Sequence, residues 1–191
     1  MTQNEIVHTL SQTYSPLSAE CRKELMDKMT ILSLPKHTCL VREGQYSDKT
    51  FYLIDGCARA YYLKDGKDIS DWFAFENEFI SSIISFFTDT PSPHYIELLE
   101  DSTLVALSKD TIDGLSNQYH DFERLIRVVV TQTMLRQRER ISSILFHTAS
   151  QRYAHILTRY PNITRRIPLT HIASYLGITL ETLSRIRNPK S

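Results

Sequence analysis

The residues best suited to recognition chemistry lie near the end of the chain, in the stretch RRIPLTHIASYLGITLETLSRIRNP at 165–189. Arginine pairs with guanine, glutamate accepts from cytosine, and serine or threonine contacts either bases or phosphates. We assign contacts with bases to Glu181, Thr182 and Arg185, and contacts with phosphates to Thr170, Thr179, Ser184 and Arg187. This set predicts a surface that binds double-stranded DNA.

The apolar and small residues of the same stretch predict two short helices joined by a turn. Ala173 lets a second helix approach closely, and Gly177 supplies the left-handed conformation that the turn needs. Leu183 fills the angle between the helices, and Thr179 caps the second one, which we expect over 179–188. These features predict a helix-turn-helix; an ordinary helical hairpin is the alternative.

Charge is distributed unevenly along the chain, although its 22 basic and 22 acidic residues cancel. Residues 1–120 contain 10 Lys and Arg against 18 Asp and Glu, whereas residues 121–191 contain 12 against 4. An acidic half followed by a basic half is typical of a sensor joined to a nucleic-acid-binding unit. The alternative is that the arginines only solvate long helices.

The first half of the chain predicts one helix and then a series of short strands. Apolar residues at helical spacing predict a helix over 18–34. From 36 to 107, runs of aromatic and β-branched residues alternate with turn signals. Among these, the Asp-Gly pairs at 55–56 and 65–66 are typical of two-residue hairpin loops. Many short strands at this spacing favour a β-sandwich or barrel.

A long helix is predicted after the strands. Between residues 110 and 160, the last glycine is Gly114 and there is no proline. Apolar residues recur at helical spacing in the same region. A helix this long extends beyond one small core, so we expect it to pack along a partner helix in a dimer. A bent helix buried within one subunit is the alternative. The predicted dimer contact consists of Phe122, Leu125, Ile126 and Val129.

Two stretches of the chain resemble the family of the cyclic-AMP receptor protein and the fumarate–nitrate regulator (Crp/Fnr). HTCLVREGQYSDKTFYLIDGCARAYYLKDGKDI, at 37–69, is similar to the family's sensor strands, and SYLGITLETLSRIR, at 174–187, to its helix-turn-helix. The resemblance covers nearly the whole chain and implies an α+β fold. This fold has an N-terminal double-stranded β-helix or jelly roll at 1–109, a dimerisation helix at 110–146 and a helix-turn-helix domain at 147–191. We expect a reduced or absent wing, because few residues follow the second helix.

The sensor region departs from the cyclic-nucleotide binders of that family, which hold the ribose with Gly-Glu and the cyclic phosphate with Arg. Glu78 fits the ribose carboxylate, but Asn77 replaces the glycine, and no Arg or Lys occurs between Lys67 and Lys109. A buried phosphate without a cation is poorly compensated, so cyclic AMP is not expected. Apolar residues of the region either line a pocket or fill it. The candidates for a pocket are Glu78, Phe79 and His94.

Metal sites and other cofactors are not expected. Cys21, Cys39 and Cys57 are too few and too dispersed for an iron–sulfur cluster or a zinc site. No His-x-His or His-x-Glu pattern marks a cupin-type metal enzyme, whereas haem held by a single histidine stays open. The chain has no apolar run of about 18 residues and no signal-peptide pattern. We therefore expect a cytoplasmic protein that is not an enzyme and does not contact membranes.

Together these features predict a dimeric DNA-binding transcription regulator. It recognises a two-fold operator through the helix near 179–188, under the control of an unidentified ligand in the β-roll. The resemblance implies double-stranded DNA, a second copy of the chain, RNA polymerase and a small-molecule effector as partners. The alternative is a ligand- or protein-binding β-roll module whose helix-turn-helix is vestigial.

Overall fold

A computed structural model of the chain describes residues 1–188, in which a β-roll is followed by a set of helices. The elements are, in chain order, α1 (Gln3–Thr13), α2 (Ala19–Lys28), β1 (Thr30–Leu34), β2 (Cys39–Val41), β3 (Lys49–Asp55), β4 (Ala58–Lys64), β5 (Lys67–Ala74), β6 (Phe79–Ser81), α3 (Ile83–Thr88), β7 (Tyr95–Leu98), β8 (Ser102–Ser108), α4 (Lys109–Gln118), α5 (His120–Phe146), α6 (Ala149–Arg159), α7 (Ile163–Arg166), α8 (Leu169–Tyr175) and α9 (Leu180–Arg187).

The strands form two antiparallel sheets that share one core. One sheet has the order β1-β8-β3-β6 and the other the order β2-β7-β4-β5. Side chains from both sheets meet between them and are fully buried, among them Leu53, Ile80, Ile96, Leu98 and Leu104. The predicted β-roll is confirmed.

The two Asp-Gly turns connect strands in different ways. β4 and β5 form the predicted two-residue hairpin, in which Asp65 and Gly66 both have a positive φ. The hairpin predicted at the other turn is wrong, because β3 and β4 belong to different sheets. Gly56 carries the chain between the sheets with φ +97°, and a Cβ there would collide with the Ser102 side chain. Glycine is therefore required at this crossing by both backbone conformation and space.

The predicted N-terminal helix is too long, and another helix precedes it. α2 ends at Lys28, and the following residues form β1, which pairs with β8. The apolar residues after Lys28 fit helical spacing, but pairing with a distant strand determines their conformation. Within α1, the buried residues Ile6, Val7 and Leu10 recur at helical spacing, and Thr2 and Glu5 form a capping box that marks its start.

The long helix is divided at Tyr119 into α4 and α5, and part of its predicted dimer contact is wrong. Phe122 and Leu125 are each 1% exposed, because they lie in a core formed with α1, α2 and α4. Ile126 and Val129 are half-buried against the same core. One face of α5 therefore packs within its own subunit.

A second face of α5 is apolar and exposed. It consists of Val130, Met134, Ile141 and Leu145, which are 45% to 66% exposed; we call it the α5 stripe. At about 100° per residue, it lies roughly a third of a turn from the buried face. A row of exposed apolar side chains of this kind is typical of an interaction site.

The C-terminal helices pack against the roll and share a core with it. Their contribution consists of apolar side chains of α6, α7, α8 and α9: Ile156, Ile163, Ile172, Ala173, Leu176 and Leu183. The roll contributes Cys57, Phe73, Phe75 and Leu99. The position of α9 therefore depends on the roll.

Replacing Phe122 by alanine tests the assignment of the buried face of α5. The free energy of unfolding should fall by about 3–5 kcal/mol, because a large ring leaves a closed core. Arg124→Ala, on an exposed position of the same helix, should change it by at most about 0.5 kcal/mol. Urea unfolding of both variants checks this, and equal effects would contradict the assignment.

Candidate nucleic-acid interface

α8 and α9 are joined by the turn that the sequence predicts. Gly177 has φ +65°, and the N–H of Ile178 donates to the carbonyl of Ala173 at 3.0 Å, which closes the end of α8. The hydroxyl of Thr179 accepts from the N–H of Thr182 at 3.2 Å and caps α9. Both the turn and the cap are confirmed.

α9 buries one apolar side and exposes its polar side. Leu183 is fully buried among the C-terminal helices. The seven predicted contact residues all lie on α8, on α9 or at the cap between them. Thr170, Thr179, Glu181, Ser184, Arg185 and Arg187 are exposed, and Thr182 is half-buried. The prediction about the wing concerns residues 189–191, outside the described part of the chain.

The carboxylate of Glu181 is ionised at neutral pH. Its pKa lies below the ordinary value because the side chain accepts from its own backbone N–H and from the Thr179 hydroxyl. A negative charge also suits the first turn of a helix. Arg185 lies one turn later, so the exposed side of α9 presents an acceptor and a donor one turn apart.

Behind α8, a buried arginine joins the roll to the C-terminal helices. Arg59 of β4 is 2% exposed, and its guanidinium lies 2.6 Å from Glu97 and 3.2 Å from Asp68. Its Nη1 is 2.6 Å from Nδ1 of His171 on α8. Since a guanidinium only donates, Nδ1 of His171 accepts and carries no proton.

Two further contacts extend this junction. The Ser174 hydroxyl of α8 donates to the carbonyl of Asp68 at 3.0 Å and accepts from the N–H of Ser70 at 2.9 Å. Polar groups on the outer edge of β5 are thereby satisfied. Arg166 of α7 lies 2.6 Å from both Glu76 and Glu100, and hydrogen bonds to these two carboxylates raise its pKa above the ordinary range.

The structure does not bring the three candidate pocket residues together. Glu78 is not free to hold a ribose, because it accepts from Tyr160 and pairs with Arg136 at 3.0 Å. Phe79 lines a cavity of about 360 Å³ between α3, α4 and α5, whose other apolar residues include Ile83 and Met134. Glu78 is not among the lining residues, and neither is His94.

His94 is buried just before β7. Its ring packs edge-on against Tyr62, with centroids 5.3 Å apart. Within residues 1–188, neither ring nitrogen has a hydrogen-bond partner. Burial lowers the pKa of His94, so the ring is neutral at physiological pH.

The cysteines are three free thiols. Burial raises the pKa of Cys21 to about 12 and also raises the pKa values of Cys39 and Cys57.

Among the described residues, no group of three or more His, Cys, Asp or Glu side chains is placed to hold a metal ion. In the same part of the chain, no helix is both long and apolar enough to cross a membrane.

Sequence reasoning does not identify Arg59 and His171 as a pair, because 112 residues separate them. One signal for Arg59 is present: it is the charged residue in the otherwise apolar run GCARAYY. A charged side chain in a buried strand requires a partner, but the strand itself does not reveal which one.

A known domain family matches the centre of the chain. Residues 31–119, from β1 to the end of α4, match the cyclic nucleotide-binding domain. No curated protein sequence matches the chain.

Several solved structures share the fold over most of the chain. FixK2 from Bradyrhizobium japonicum aligns with a TM-score of 0.72 and 18% identity, covering 83% of this chain and 82% of its own. The c-di-GMP responsive global regulator CLP from Xanthomonas campestris gives 0.69 and 15%, covering 88% and 89%. A regulator of the Crp/Fnr family from Eubacterium rectale gives 0.68 and 18%, covering 89% and 82%. The β-roll and the long helix therefore match the fold of Crp/Fnr family regulators.

Acidification should weaken the contact between α8 and the roll. Burial and then the charge of Arg59 hold the pKa of His171 below its ordinary value, whereas Asp68 and Glu97 oppose this shift. Because the unfolded chain binds the proton first, stability should fall as pH drops below about 6.5 and level off below the folded pKa.

The variant His171→Asn isolates this contribution, because asparagine keeps an acceptor but does not titrate. Urea unfolding between about pH 8 and pH 5.5 should show a smaller loss of stability for the variant than for the wild type. His94 titrates in both proteins, so the comparison cancels its effect. Identical pH profiles would contradict the role of His171.

Proposed function

We propose that this chain, which carries a cyclic nucleotide-binding domain and has the Crp/Fnr fold, is a dimeric DNA-binding transcription regulator. The observation that carries the proposal is the exposed polar side of α9, held on a capped helix after a left-handed turn. In a helix-turn-helix, the second helix enters the major groove. α9 has the position and the exposed side chains for this task.

The proposed contacts follow from where the side chains lie on α8 and α9. Glu181, Thr182 and Arg185 occupy the first turn and a half of α9, the part of a recognition helix that reaches base edges. The exposed phosphate contacts flank them, with Thr170 on the preceding helix and Thr179 at the cap. The full set for phosphates is Thr170, Thr179, Ser184 and Arg187.

The α5 stripe supports a dimer. Its exposed apolar side chains recur at helical spacing along a helix of 27 residues. A second copy that packs its own stripe against it forms a two-fold interface, because the same surface serves both subunits. The two copies of α9 then read a two-fold operator.

We also propose that the effector is not a cyclic nucleotide. Residues 68–108 contain no Arg or Lys to neutralise a cyclic phosphate, and the Glu78 carboxylate is already paired with Arg136. The cavity lined by Phe79 has a volume of about 360 Å³ and mostly apolar walls, which fits a small apolar effector. We propose that the protein works without a resident cofactor.

A second candidate function is favoured by the packing of α8 on the roll. The Arg59–His171 contact makes the C-terminal helices part of one body with the roll. The same packing suits a ligand- or protein-binding module in which α8 and α9 only complete the core. DNA binding distinguishes the two functions.

Replacing Arg185 by alanine should weaken binding to DNA from the protein's own promoter region. Loss of one bidentate base contact costs about 1–3 kcal/mol, or roughly a tenfold to hundredfold change in Kd. Arg138→Ala is the matched control, because Arg138 is exposed on α5 and donates to the Ser142 hydroxyl of the same helix. Fluorescence anisotropy at two salt concentrations measures both effects. Salt-insensitive or absent binding by the wild type would favour the module instead.

Replacing Met134 by glutamate should convert the dimer into a monomer, because it places a charge in the centre of the α5 stripe. Light scattering after size-exclusion chromatography measures the molar mass. Gln12→Glu makes an equal change of charge on an exposed position of α1 and should leave the dimer intact. A Met134→Glu protein that stays dimeric would contradict this interface.

A further inference from the structure

We infer that a cleft between the roll and the C-terminal helices binds hydrogen phosphate. The cleft has a volume of about 100 Å³ and is bordered by β5, the second half of α5, α6 and the end of α8. Its charged lining consists mainly of guanidinium groups. We call it the arginine cleft, after Arg136, Arg140, Arg152 and Arg159.

The arrangement of these arginines follows from helical spacing. Arg136 and Arg140 are four residues apart and therefore share one face of α5. Arg152 and Arg159 are seven residues apart and share one face of α6. The two helices turn these faces toward the same cleft, so four positive charges from two elements surround a small space.

Carboxylates neutralise part of this charge. The pairs are Glu78 with Arg136 at 3.0 Å, Asp71 with Arg140 at 3.3 Å, and Glu139 with Arg159 at 3.6 Å. Arg152 has no carboxylate within 4.0 Å among residues 1–188, and its Nη1 donates instead to the carbonyl of His147 at 2.7 Å. Arg152 therefore supplies the positive charge that is left over.

Two of the arginines that line the cleft each carry a donor without an acceptor. Within the described residues, the Nε–H groups of Arg140 and Arg152 are both buried and have no hydrogen-bond partner. The other end of Arg140 is fixed, because Nη2 donates to the carbonyls of Ser70 and Tyr175. Buried charged donors are costly to leave unpaired, and an oxyanion held between these arginines would supply acceptors for them.

The size and the acids of the cleft select the ligand. A space of about 100 Å³ admits a tetrahedral oxyanion but is below the range of cavities that hold larger ligands. Asp71 and Glu139 also line the cleft and only accept hydrogen bonds. Hydrogen phosphate carries a P–OH group that can donate to such a carboxylate, whereas sulfate carries none. The cleft therefore favours phosphate over sulfate.

This site differs from the place where the sensor region would hold a cyclic nucleotide. The loop from α3 to β7 has no cation, whereas the arginine cleft lies outside the roll and uses α5 and α6. Phosphate bound here would contact the roll, α5 and the C-terminal helices at once. We therefore expect it to stabilise their mutual packing.

Isothermal titration calorimetry with inorganic phosphate tests the site on the full-length protein. Wild type should bind phosphate, and Arg152→Gln should weaken the affinity at least about tenfold by removing a charged donor. Arg138→Gln is the control, because Arg138 lies on α5 but not in the cleft, and should bind like wild type. Sulfate and chloride, each at the same ionic strength, should give no comparable binding.

Three outcomes would overturn the inference: no binding of phosphate by wild type, equal binding of sulfate, or an Arg152→Gln protein that binds like wild type. Arg152→Lys keeps the charge but removes the Nε–H in this position, so it should also bind more weakly. Circular dichroism shows whether Arg152→Gln is folded. If it is not, Arg152→Lys serves as the test. The assay contains no DNA, so its failure leaves the proposed DNA binding unaffected.

Discussion

The placement of the C-terminal helices depends on the buried guanidinium of Arg59. A charge that is 2% exposed must be compensated by its surroundings. Glu97 lies directly opposite Arg59 in the pairing of β4 with β7, and Asp68 comes from β5. His171 of α8 is neutral, but it accepts from Nη1 at 2.6 Å, beside Ser70 of β5 at 3.3 Å, so the guanidinium has its full set of acceptors only with α8 in place. A shift of α8 would take the closest acceptor away from Nη1 of this buried guanidinium.

α5 connects this junction to the rest of the molecule by using its faces for different contacts. Near its start, Phe122 and Leu125 lie in the core with the N-terminal helices. Near its end, Arg140 reaches the backbone of β5 and α8. The α5 stripe lies on another side and stays exposed. A change at the α5 stripe or in the adjacent cavity is thereby joined, through one helix, to the packing of the C-terminal helices.

The parts of the fold that depend on neighbours in sequence could be predicted, and those that depend on distant partners could not. The β4–β5 hairpin and the Gly177 turn follow from local backbone preferences. The crossing at Gly56 could not be distinguished from a hairpin, because sheet membership is set by pairing with β8. Helical spacing identified an apolar face of α5 but not whether Phe122 packs inside or outside the subunit. In the same way, the engagement of Glu78 depends on arginines far along the chain.

Hydrogen exchange of the wild type and of Arg59→Met most directly tests the claim that one buried charge holds α8 on the roll. The variant should exchange its α8 amides faster, while β3 and β8, in the other sheet, keep their protection. This result would place α8 in a separate opening unit that depends on Arg59. Unchanged protection of α8 in a folded variant would contradict the account, and so would an equal loss of protection throughout the molecule.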